Sequence, residues 1–241
     1  MSRTTDDDET IRRRSGWLIP LGVFLVTFAL SALFLLLYLA PTANPFVEQI
    51  SPTSRGDIIA LKVLGHRLYI PANYLEFDSA RQGGEKRTIA LFALLPEMSG
   101  WSNWDAQTFA GNGPDSPIVY MQIHEDKLNL SEADRLRRVY MGYVKDTRGA
   151  PGPTDLTQYD LREDSGYHNE DLLVGKTDKG PMVLLCERNA PDVPSPNCLR
   201  DVSIARGLSL SYRFKRAHLS KWREISENID KLIASFAKPQ K

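Results

Sequence analysis

Residues 17–40, WLIPLGVFLVTFALSALFLLLYLA, carry no charge, and every position except Pro20, Gly22, Thr27 and Ser31 is apolar. No single core in a chain of 241 residues needs an uninterrupted run of this kind. At about 1.5 Å per residue, such a helix reaches roughly 36 Å, enough to cross a hydrocarbon layer of about 30 Å with some tilt. Pro20 sits in the first turn, where its missing N–H costs little. Trp17 and Tyr38 fall at the two interfaces, where amphipathic rings are favoured. A cleaved export signal would have a shorter apolar stretch and a small-residue cleavage site, whereas here Pro41 follows Ala40 directly. The pattern predicts an uncleaved signal-anchor that spans the membrane once.

Orientation follows from the cations. Arg3, Arg12, Arg13 and Arg14 precede the span, whereas only Arg55 appears after it before Lys62. Positive charge stays inside, so residues 1–16 read as a cytoplasmic tail and the rest as exported. In a cell inner membrane the bulk of the chain is then a periplasmic domain, residues 56–238, on a Pro- and Ser-containing stem, residues 41–55. RGAPGP at 148–153 is the strongest internal punctuation and suggests two lobes, 56–147 and 154–238.

Composition narrows the classes of function. The chain has 30 Lys plus Arg and 30 Asp plus Glu, and the tail contributes four of each sign. The exported part therefore stays neutral, unlike a nucleic-acid-binding surface. Outside the span the apolar share falls to roughly 37%, enough for one ordinary core.

Within that part, the apolar runs of DIIALKVLGHRLYIPANYLEF read as a hairpin with Gly65 in the turn, and Pro71 ends its second strand or places it at an edge. SARQGGEKR reads as a solvated loop, and TIALFALLP and IVYMQIH as strands. Ser131 opens a short helix as its N-cap. LTQYDLRE, EDLLVGK, PMVLLCE, CLRDVSIA and LSLSYRF form five strands joined by tight turns, the pattern of an antiparallel meander. Leu219, Trp222, Ile225, Ile229, Leu232, Ile233 and Phe236 recur at helical spacing, so a C-terminal amphipathic helix should pack on the sheet. The fold class is α+β, a mostly antiparallel β domain behind one transmembrane helix.

Chemistry is sparse. There is no nucleophile elbow, P-loop, dinucleotide fingerprint or zincin motif, and no cofactor or metal is expected. Cys186 and Cys198 end neighbouring strands and should form a disulfide bond in an oxidising compartment. Around His168, Asp160, Glu163, Asp164, Glu170 and Asp171 form an acidic segment at the wrong spacing for an EF-hand, and it reads as a solvated hairpin end. Arg213, Lys215, Arg216, Lys221 and Arg223 read as a solvated helix entrance. Trp101 and Trp104, in the glycine-rich and irregular segment 101–117, are the partner-binding candidates. The reading that follows is a single-pass inner-membrane protein whose periplasmic domain binds another protein in the envelope, as an accessory or structural subunit of an envelope complex or as an immunity protein against a periplasmic toxin. The rival is a membrane-tethered envelope hydrolase using the acidic segment.

Overall fold

The computed structural model describes residues 16–39 and 48–239, so the expected tail up to Ser15 and stem residues 41–47 lie outside the described residues. The chain divides into two units, Met1–Gln49 and Ile50–Lys241. Among the described residues, the first unit holds one helix, α1 (Leu18–Leu39), long and apolar enough to cross a membrane. Its apolar side chains, from Trp17 to Tyr38, face outward. Thr27 closes its own hydroxyl onto the carbonyls of Val23 and Phe24, at 2.9 and 3.0 Å. An apolar medium requires that kind of internal satisfaction.

The second unit begins with a hairpin, β1 (Ile58–Val63) and β2 (His66–Pro71). Leu64 and Gly65 form its two-residue turn with φ of 48° and 85°, the left-handed pair that a tight hairpin demands. After the short helix α2 (Asp78–Arg81), β3 (Gly84–Glu85) adds to β1 in parallel. The stretch expected to be loop thus contains two short elements, pinned by the Arg81 guanidinium. Its Nη2 donates to Leu75 O at 2.8 Å and also to Ser51 O. Elements this short leave no periodic trace.

The remaining strands are β4 (Thr88–Leu94), β5 (Ile118–Glu125), β6 (Ala150–Pro151), β7 (Thr157–Asp160), β8 (Glu170–Thr177), β9 (Gly180–Glu187), β10 (Asn197–Ala205) and β11 (Leu208–Lys215). They form one sheet in the order β4-β5-β11-β10-β9-β8-β7-β6, with every pairing antiparallel. The expected meander is its β7-to-β11 half, and strands from both sides of the Arg148–Pro153 punctuation join it. Between β4 and β5 lies α3 (Ala106–Ala110), so segment 101–117 is partly helical. After β5 comes α4 (Glu132–Arg138), and the chain ends in α5 (Trp222–Phe236).

Strand alternation sends side chains to both faces. On β9, Met182, Leu184 and Cys186 join a core with Leu61, Leu68 and Ile70 of the hairpin and Trp222, Ile225, Ile229, Ile233 and Phe236 of α5. Val183 and Leu185 point the other way, to Tyr140, Val144 and Leu161 after α4 and β7. Burial on both faces explains why PMVLLC is an unbroken apolar run. Each large side chain that α5 buries contributes about 1.5–3 kcal/mol. Gly175 on β8 leaves room for the Trp222 ring: a Cβ there would meet the indole at 2.8 Å.

Candidate binding cleft

The sheet is not continuous. β9 and β10 pair at only two rungs, Cys198↔Cys186 and Leu199↔Leu185, and the first is cross-linked by the Cys186–Cys198 disulfide. Beyond them the strands part, and the start of α4 enters the gap. Ser131 caps α4, its hydroxyl accepting from Asp134 N at 3.1 Å, which fixes where Glu132 emerges. Glu132 Oε1 then accepts from Val183 N at 2.6 Å, standing where a β10 carbonyl would otherwise be. From the opposite strand, Arg200 donates to the same carboxylate in a fork, Nε to Oε1 at 2.9 Å and Nη2 to Oε2 at 2.8 Å. Its Nη1 donates to Tyr212 OH at 3.1 Å and to Ser226 Oγ at 2.6 Å.

These side chains are almost wholly enclosed, with Arg200 9% and Glu132 11% exposed. Burial works against the guanidinium's charge, but the Glu132 carboxylate and the Tyr212 hydroxyl together more than offset it and hold Arg200 above the ordinary arginine range. Burial likewise raises the Tyr212 phenol. One turn on, Arg135 donates to Asp201 O at 3.0 Å and pairs with its carboxylate at 2.6 Å, so α4 is fastened to β10 twice.

Past this plug β10 bulges between Ser203 and Ala205, and a cavity of about 820 Å³ opens between β2, α5 and the parted strands. Its walls are mainly apolar, including Leu68, Val202, Ile204, Leu208 and Ile233. Two of its charges neutralise each other, Lys179 and Asp230 at 2.7 Å. Arg67 lines the same space and has no carboxylate partner among the described residues. Nearby, His66 Nε2 lies 3.3 Å from Arg206 O in the β10–β11 turn.

The two tryptophans separate. Trp101 is half-buried against Phe92, Leu94 and Ile118, and its backbone N–H donates to Asn73 O at 2.8 Å. Trp104, just before α3, is 96% exposed. The pair therefore does not form one shared patch: one ring closes over the sheet and the other stands in water.

The acidic segment is corrected in part. Glu163, Asp164 and His168 are exposed as expected, but Asp171 is buried and bridges Arg188 at 2.8 Å and Arg216 at 2.6 Å. Asp160 meets the same Arg188 at 3.4 Å. These contacts also overturn a fully solvated basic cluster: Lys215 is buried with its ammonium on Ser195 O, and Arg216 holds the carbonyls of Cys186 and Glu187. Local charge density along a sequence cannot reveal which charges meet across a sheet. Among the described residues no His, Cys, Asp and Glu cluster could hold a metal ion.

Glu170 lies opposite Glu187 on β9, with Oε2 buried and without a hydrogen-bond partner. Burial first, and then Glu187, raise its carboxyl above the usual range. A raised folded-state pKa contributes stability below the unfolded value, and the contribution disappears as pH rises through the folded value. Glu170→Gln is therefore expected to stabilise the domain at pH 7, with the gain shrinking towards pH 4. Thermal melts at the two pH values check this, and a gain larger at pH 4 would contradict it.

No family model matches the chain, and no curated protein sequence matches it. Two solved structures are similar. One is Smlt3025, an immunity protein of the Stenotrophomonas maltophilia type IV secretion system, at 18% identity and a TM-score of 0.54 over 75% of this chain and 93% of that one. The other is the Neisseria meningitidis iron-regulated outer membrane lipoprotein FrpD, at 12% identity and a TM-score of 0.50 over 78% and 97% of the two chains. At these identities the likeness is one of fold, shared with proteins of the bacterial envelope and of secretion.

Proposed function

We propose that the chain is a single-pass inner-membrane protein whose periplasmic domain binds another protein, and that it acts as an immunity protein against a toxin delivered to that compartment. The observation that carries this reading is the likeness to a secretion-system immunity protein over 93% of that protein's length. Three features support it. The apolar helix α1 supplies an anchor, and Arg12, Arg13 and Arg14 favour a cytoplasmic N-terminus. The disulfide suits an oxidising compartment. The domain also offers a preformed apolar cleft and, separately, the exposed Trp104, features of surfaces that receive proteins.

The mechanism is recognition. The anchor confines the domain to the membrane surface, where an incoming toxin must pass, and binding covers the toxin's working surface. Deleting the gene and growing the strain in contact with its unmodified kin on a solid surface should reduce recovery of the deletion strain at least tenfold. The full chain should restore recovery, and a chain lacking residues 1–40 should not. Undiminished recovery would overturn the immunity role. A stable partner captured by the detergent-solubilised protein would then identify a subunit of an envelope complex.

A further inference from the structure

We infer that the parted edge of β10 receives an extended segment of the partner protein as an added strand, apolar on one face and carrying carboxylates. The inference rests on the protein-binding reading above and names the surface and the mode.

The parting is encoded in side chains rather than left by poor packing. Val183 N–H points towards β10, where Glu132 takes it. Alternate residues of a strand present their backbone groups to the same side, so position 181 should offer the next donor. That residue is Pro181, which has no N–H. One rung is thus occupied by a carboxylate and the next cannot form, so β9 cannot zip onto β10 beyond Leu185.

On the other side, β10 is held by β11 through Val202↔Leu210 and Ser203↔Ser209, up to the bulge that follows Ser203. Asp201 turns its carbonyl to Arg135, so by the same alternation Ser203 turns its N–H and C=O into the cleft. An unpaired edge of this kind is a template for another strand. It differs from an outer edge in being walled. Val202 and Ile204 sit two residues apart, half-buried, beside the 820 Å³ cavity. An added strand with the same two-residue period would lay its apolar side chains there.

Charge selects the occupant. Glu132 is matched by Arg200, and Asp230 by Lys179. Arg67 in the wall and Arg206 in the adjoining turn have no carboxylate partner among the described residues. The complementary segment therefore carries Asp or Glu near one end, and its apolar residues alternate with polar ones.

The test places a photo-crosslinking amino acid at Ser203, at Trp104 or at Glu163 of the full chain in its native membrane, Glu163 being an exposed control. The expected result is one protein joined through Ser203, within a segment of alternating apolar residues that contains an acid. Made as a synthetic peptide, that segment should slow amide hydrogen exchange at Asp201 and Ser203 of the detergent-solubilised full chain at least tenfold. The charge-reversed variant Arg67→Glu with Arg206→Glu should weaken its binding about tenfold. A lipid or a second copy of the chain joined at Ser203 would overturn the inference. So would a peptide that binds without protecting those amides, or one insensitive to charge reversal. Crosslinking to a partner from Trp104 but not Ser203 would overturn the cleft and leave the protein-binding reading intact. Crosslinking from neither position would overturn both.

Discussion

Arg200→Ala is expected to destabilise the folded domain by about 3–5 kcal/mol, the cost of removing one member of a buried ion pair and leaving the other charged. Glu132 would keep its bond from Val183 N but lose both guanidinium donors, and Tyr212 OH and Ser226 Oγ would lose theirs. For a domain of this size each kcal/mol shifts the melting temperature by about 2–4 °C, so a fall of roughly 6–20 °C is expected. The double variant Arg200→Met with Glu132→Gln removes both charges together. It should recover more than half of the loss, since replacing a complete buried pair costs far less than breaking it. Melting curves of the detergent-solubilised full chain decide this. A single variant within 1 kcal/mol of the parent would show that the pair is not what holds α4 in the gap.

The second large effect concerns the rung at which the strands begin to diverge. Cys186 and Cys198 are 12 positions apart, and closing a loop of that size stabilises the fold by about 3 kcal/mol in the chain-entropy model. Cys186→Ala with Cys198→Ala should lose about that amount, read as a lower denaturant midpoint, with a slope that rises as the unlinked denatured chain becomes less compact. A variant as stable as the parent would mean that the neighbouring contacts of Arg216 with Cys186 O, Glu187 O and Asp171 suffice to hold the rung.

The architecture is legible in the sequence where the signals are local. The apolar span, the Leu64–Gly65 turn, the Ser131 cap, the strands between residues 157 and 215 and the apolar face of α5 each follow from periodicity or turn chemistry within a few residues. The cysteine pair is legible because its two residues end neighbouring strands. The cleft is not, because its makers are far apart: Val183 and Glu132 are separated by 51 positions, and Arg200 and Glu132 by 68. Arg200 reads as an ordinary outward charge in CLRDVSIA, and Glu132 as an ordinary first-turn acid. Pro181 carries the one local hint, a residue without a donor inside a strand with neighbours on both sides. The two tryptophans show the converse, since identical residues three positions apart meet different surroundings once Trp101 finds Phe92 and Ile118.

The disulfide also sets a schedule. For a chain exported as proposed, the bond that fixes the divergence point of β9 and β10 cannot persist in the cytoplasm, where thiols are kept reduced. A newly made chain would therefore reach its full stability only after it has crossed the membrane. The rung from which β9 and β10 diverge would be locked last, by an oxidant met on the far side rather than by the chain's own folding.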